Sequence, residues 1–153
     1  MRRIVWVVAI ALLGGAAGCQ KIKSKLGIGD TVTNPDSGTP DKVVQDVLKA
    51  ARMADEEQGW EKFVGLLHSE ETEMPASLST WRDMKYRAIR KKADFLLSEK
   101  STFTFKVMDR RESEDGHTLQ IFLENTASDM PTPCRLKQDK AQGNAWRVSG
   151  SCF

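Results

Sequence analysis

The chain has 153 residues, 23 of them Lys or Arg and 21 Asp or Glu, and three cysteines. That length suits a single domain. Arg2 and Arg3 account for the whole excess of positive charge, so residues 4–153 carry 21 basic and 21 acidic side chains, without the net basic character of a nucleic-acid-binding domain.

Arg2 and Arg3 precede an apolar run from Ile4 to Leu13, which leads into the small residues "GGAAG". This order of charged, apolar and small residues predicts a secretory signal over residues 1–18. From Ile4 to Gly18 there are only 15 residues, and about 20 are needed to cross a bilayer core. The next residues, "AAGCQ" (Ala16 to Gln20), place a lone cysteine directly after the apolar run. They resemble a bacterial lipobox. The resemblance implies that Cys19 is the acylated N-terminus of the mature protein and that membrane lipid is its first partner. By the same resemblance, Gln20 implies sorting to the outer membrane, with the folded part in the periplasm. Ala16 stands where the lipobox commonly has leucine, and Ala16 with Gly18 also makes an ordinary small-x-small cleavage site. A soluble secreted protein is therefore the alternative.

Residues 20 to 40, "QKIKSKLGIGDTVTNPDSGTP", lack an apolar period and are rich in loop-forming residues. They predict a tether spanning 19–40, with Lys21, Lys23 and Lys25 beside the anchor. As a flexible coil such a tether has a reach of about 25 Å, letting the domain float near the membrane.

Thr39 and Pro40 form a helix start, a hydroxyl cap followed by proline at the first helical position. Val43, Val44, Val47, Leu48, Ala51 and Ala54 then recur at helical spacing. The acidic "DEEQG" interrupts this stripe, and Trp60, Phe63, Val64 and Leu67 predict a second helix ending near His68. After "SEETEMPAS", a third helix is predicted from Leu78 to Leu97, capped by Ser77 or Ser79. Its apolar face includes Trp81, Met84, Ala88, Ile89, Ala93, Phe95 and Leu96. Lys85 and Lys92 fall near the middle of that face, where an anionic ligand is one reading and snorkelling stems are the other. Arg82, Arg87, Arg90 and Lys91 form a basic collar.

From Thr102 the period becomes two. Phe103, Phe105 and Val107 alternate with polar residues, as do His117, Leu119, Ile121 and Leu123, and Asp115-Gly116 marks a turn between them. A strict two-residue turn pairs Met108 with Leu123, which sets the two apolar rows on opposite faces. A bulge or an odd loop is therefore predicted.

The last residues read as a hairpin around Gln142-Gly143-Asn144. A three-residue loop pairs Gln138 with Val148, Leu136 with Gly150 and Cys134 with Cys152. It also sets Asp139 against Arg147 on a polar face, an opposite-charge pair of the kind that stabilises a sheet. In the oxidising environment implied by export, Cys134–Cys152 is expected as a structural disulfide. This leaves Cys19 unpaired, as an attachment point.

The expected fold class is α+β, with three N-terminal helices packed on a curved antiparallel sheet of about four strands. Residues 41–153 resemble the nuclear transport factor 2-like (cystatin-like cone) superfamily. The resemblance rests on "VVQDVLKAARMADEEQGWEKFVGLLHSEE", similar to its first helix pair, and "NAWRVSGSCF", similar to its final strand. It implies a cone-shaped domain, and that superfamily contains both enzymes and noncatalytic envelope domains. The expectation is a noncatalytic domain binding a small amphiphile or an envelope partner protein; the alternative is an isomerase- or dehydratase-type enzyme. Lys85, Lys92, His117 and Tyr86 are the candidate pocket residues. No catalytic residue, cofactor or metal is assigned: His68 reads better as a histidine favoured by the dipole at a helix C-terminus, with Glu70, Glu71 and Glu73 solvated, than as part of a metal cluster.

Overall fold

The computed structural model describes residues 29–153. The signal segment, Cys19 and the lysines beside it lie outside the described residues. The fold is α+β, with an open antiparallel sheet of six strands, four helical runs and the Cys134–Cys152 disulfide.

The first strand, β1 (Asp30–Val32), falls within the segment expected to be tether. It pairs Asp30 with Val107 and Val32 with Phe105. Gly29 explains part of this fit: a Cβ there would stand 2.2 Å from the Val107 carbonyl oxygen, so only glycine permits the approach.

Helix α1 (Pro40–Ala51) starts as its sequence predicts, with the Lys42 N–H donating to Thr39 Oγ1 at 3.3 Å. Its valines and Leu48 are buried, and it ends before the exposed Ala54. "DEEQG" does more than interrupt the stripe. Asp55 caps α2 (Glu56–Val64) by accepting from the N–H groups of Glu57 and Gln58, and Glu56 and Glu57 lie where the helix dipole favours acids. A short additional helix, α3 (Ser69–Thr72), comes next, with His68 at its N-cap.

The predicted third helix is one run with three geometries: α4 (Pro75–Thr80), a π-helical segment (Trp81–Tyr86) and α5 (Arg87–Lys92), closed by a 3₁₀ turn at Ala93–Phe95. Ser77 and Ser79 do not cap it; Pro75 opens it, and their hydroxyls donate to Glu71 and Asp83. The π segment corrects the expected face. In an unbroken α-helix Trp81 and Tyr86, five residues apart, would point about 140° from each other. Pairing i with i+5 brings them onto one side, where they are 0% and 1% exposed. Met84 is turned outward, 68% exposed, and Lys92 is also exposed.

The remaining strands are β2 (Leu97–Glu99), β3 (Thr104–Glu112), β4 (Thr118–Asn125), β5 (Ser128–Asp139) and β6 (Ala145–Cys152). The order is β1-β3-β4-β5-β6, with β2 also paired to β3. Near its turn the β3–β4 hairpin keeps the two-residue-turn register, with Arg110 opposite Ile121. The predicted bulge lies at Met108 and brings Val107 opposite Leu123. One sheet face thus buries Phe105, Val107, Ile121, Leu123, Leu136 and Val148 against the helices, around Trp81, Tyr86, Phe63 and Leu48.

The β5–β6 hairpin pairs Cys134 with Cys152 as expected, but by another route. Asp139 faces Ala145, Gln138 faces Trp146 and Leu136 faces Val148. The loop therefore holds five residues, with Gly143 and Asn144 both at positive φ. Beyond Val148, three residues of β6 stand opposite Arg135 before the register meets the cysteines, and Gly150 takes φ +76. The Asp139–Arg147 pair does not form, because Asp139 is committed elsewhere.

Candidate functional site

The four pocket candidates do not converge, and no hydrogen bond or ion pair links any two of them among the described residues. Tyr86 belongs to the core. Its ring lies 5.0 Å from that of Phe63 and 5.5 Å from that of Trp60, and its hydroxyl donates to the Ala50 carbonyl at 2.9 Å. Burial pushes the phenol up from its ordinary value, against the opposing pull of Arg90. Gly59 makes this packing possible, since a Cβ there would meet the Tyr86 hydroxyl at 2.3 Å.

Lys85 lies over the Trp81 ring, 4.1 Å from its centroid, and donates to the Gly150 carbonyl at 2.7 Å. Its stem follows the apolar surface while its charge is spent on the β6 bulge. Lys92 is exposed on α5. His117 is exposed at the end of the β3–β4 hairpin, where Nδ1 pairs with Gln138 Oε1 at 2.8 Å.

The residues around α3 form two carboxylate clamps that the sequence pattern did not reveal. Asp139, 1% exposed, accepts from the Ser69 N–H (2.9 Å), the Ser69 hydroxyl (3.0 Å), the Ala141 N–H (3.0 Å) and Gln142 Nε2 (3.2 Å). Burial alone would raise its pKa; the bonds from Ser69 and Ala141 and the charge of His68 outweigh it, so the carboxyl sits below its ordinary value. Glu71 accepts from Trp81 Nε1 (2.7 Å), the Ser77 hydroxyl (2.8 Å) and the Gly150 N–H (2.7 Å). Here too burial pulls upward, and those three donors with Lys85 bring the net shift downward.

Gly150 is therefore held from both sides, its N–H by Glu71 and its carbonyl by Lys85. Neither partner is adjacent to it in sequence, which is why the clamp escapes pattern reading. His68 is buried, and it stands at the N-cap of α3 rather than at the C-terminus of the second helix: its Nδ1 accepts from the Glu70 N–H, and Nε2 lies 3.4 Å from the Gln138 carbonyl. Glu70 bonds Lys137 at 2.7 and 2.8 Å. No group of three His, Cys, Asp or Glu side chains among the described residues is arranged to hold a metal ion.

Among the described residues, an open groove of about 610 Å³ lies between α2 and the α4–π run. Trp60, Pro75 and Leu78 supply its apolar lining, and Arg82, Asp83 and Arg87 its charges. Arg82 bonds Glu57 at 2.6 Å and lies 6.0 Å from the centre of the Trp60 ring; Arg87 is 3.5 Å from Glu56. Of the expected basic collar, Arg82 and Arg87 are thus answered by the acids that open α2, and Arg90 donates to the Met53 carbonyl. Met74 and Met84, sequence neighbours of Pro75 and Asp83, are 60% and 68% exposed. None of the helices among the described residues is long and apolar enough to cross a membrane. No known protein family, characterised protein or solved structure matches the chain.

Proposed function

We propose that this chain is an exported envelope lipoprotein, anchored through Cys19, whose domain is a noncatalytic binding module. The groove between α2 and the α4–π run takes either a small amphiphile or an exposed segment of a partner protein. The groove is the observation that carries the binding role, because it combines an apolar lining with fixed charges of both signs. A noncatalytic role is supported by how the titratable candidates are used. Tyr86, Lys85, Glu71 and Asp139 each bond backbone groups of other elements, an arrangement that serves packing. Anchoring rests on the sequence "AAGCQ" and its place after the apolar run.

The test is native mass spectrometry of the protein extracted from its own envelope, as wild type and as Leu78→Glu. The expected result is acyl mass on Cys19 and a retained ligand or partner that Leu78→Glu loses. An unmodified Cys19 overturns the anchor. Wild type with nothing bound, or unchanged binding by Leu78→Glu, overturns the groove.

A further inference from the structure

We propose that the sheet face turned away from the helices is a contact surface for anionic lipid headgroups. This rests on the anchor reading above for what brings the domain to the bilayer.

Strand alternation places Lys106, Arg111, Arg135, Lys137 and Arg147 on this face, with Asp109, Glu124 and the buried Asp139, which is taken up by Ser69 and Ala141, as its own acids. Lys106 is paired with Glu124 at 2.8 Å, Arg111 with Asp109 at 3.0 Å, and Lys137 with Glu70 of α3. Arg135, which is exposed, and Arg147 meet no carboxylate among the described residues. The register groups these cations: Arg111 lies opposite Gln120, which lies opposite Arg135, and the neighbouring row runs Thr118, Lys137, Arg147. With strands about 4.8 Å apart, Arg111 and Arg135 flank Gln120 across roughly 10 Å. Arg111 is steadied over the Phe122 ring, 4.5 Å from its centroid. Lys137 and Arg147 are direct cross-strand partners, an arrangement of like charges that costs stability and that a bound anion relieves. Arginine's planar fork suits phosphate oxygens, and hydrogen-bonding groups are added by Gln120 between Arg111 and Arg135 and by Thr118 beside Lys137.

The direction of the chain selects a membrane as the source of the anions. Because β1 runs antiparallel to β3 with Asp30 opposite Val107, Gly29 and β1 enter the sheet from the Arg111 end of β3. That is the same end as the basic rows. Ten residues separate Cys19 from Asp30, a span of no more than about 40 Å when fully extended, and Lys21, Lys23 and Lys25 are among them. The early start of β1 halves the tether expected from sequence, bringing the sheet within reach of the headgroups. Glu114 and Asp115 lie beyond the patch at the hairpin turn, and Glu112 alternates onto the other face.

The test places the full chain in phosphatidylcholine nanodiscs with and without phosphatidylglycerol, each carrying a gadolinium headgroup lipid, and reads amide relaxation by NMR. In the anionic discs, relaxation at Gln120 and Arg135 is expected to exceed that at Met84 and Lys92 by roughly fivefold or more, the scale of one cation–headgroup contact. The excess should fall to the neutral-disc level in the Arg135→Gln, Arg147→Gln double variant and at about 0.5 M NaCl. Thermal unfolding of the double variant checks its fold, and the salt titration of wild type stands without it. Equal relaxation on both faces, a helix-side excess, or an excess indifferent to lipid charge overturns the proposal. The mass of Cys19 in the same sample reports separately on the anchor.

Discussion

The β3–β4 and β5–β6 hairpins both depart from regular pairing, and they do so in opposite ways. In the first, one extra residue, Met108, shifts the register by one and moves Val107 to the buried face opposite Leu123. In the second, the five-residue loop sets a register two residues away from that of a three-residue loop, and the stretch around Gly150 takes up the difference before Cys152. A one-residue shift exchanges the faces of a strand, whereas a two-residue shift preserves them. The first irregularity is therefore demanded by hydrophobic alternation. The second is invisible to it and has to be held by Glu71 and Lys85 from other elements, by the bonds of Asp139 to Ser69, and by the disulfide.

This contrast predicts a fragile C-terminal hairpin and a tolerant first one. The largest effect is expected from replacing Cys134 and Cys152 together by serine. The bridge closes a loop of sequence separation 18, so its loss should cost about 3 kcal/mol, read as a lower urea midpoint. Next comes Asp139→Ala, which removes a buried carboxylate and leaves the part-buried Ser69 N–H and the Ala141 N–H without their acceptor. A loss of about 2 kcal/mol is expected, with faster hydrogen exchange in α3 and the 140–144 loop.

Glu71→Gln should cost about 1 kcal/mol, since the amide retains one acceptor oxygen for the three donors. It also tests the pH dependence. Glu71 and Asp139 are held below their ordinary values of 4.5 and 3.8. Their stabilisation is complete above those values and is lost as pH falls through the lower values of the folded state. Stability of the wild type should therefore decline on acidification below about pH 4.5, and the decline should be shallower in Glu71→Gln. A Glu71→Gln curve parallel to wild type would show that Glu71 does not carry this effect.

The smallest effect belongs to deletion of Met108. Without it Val107 still pairs with Leu123 and Asp109 with Phe122 in regular alternation, so a cost under about 1 kcal/mol is expected by thermal unfolding. A loss comparable to that of the disulfide would break the comparison.

Local chemistry is legible where it acts over a few residues. Thr39-Pro40 specifies the α1 start, alternation specifies the need for a bulge, and three cysteines with one facing pair specify the bridge. A signal of the same kind is present at "DEEQG", where Asp55 followed by two glutamates is a cap and first turn rather than a mere break in the stripe. The candidate site is much less legible. Sequence places Lys85 near the middle of the apolar face, yet its acceptor, the Gly150 carbonyl, lies 65 residues away. Tyr86 looks available as a pocket residue because helical counting at a constant period does not bring it under Trp60.

The sequence by itself determined the α+β class, the alternation that separates the two sheet faces, and the cysteine pair. These depend on periodicity and on neighbours within one hairpin. Only the tertiary structure decided that a π segment turns Trp81 and Tyr86 inward together, that Asp139 belongs to α3 instead of Arg147, and that the sheet begins at Asp30. Each of those outcomes is a competition between partners distant in sequence. Burial of two aromatic rings, satisfaction of a buried carboxylate, and the close approach of Gly29 to Val107 settle it in favour of contacts that no local pattern encodes.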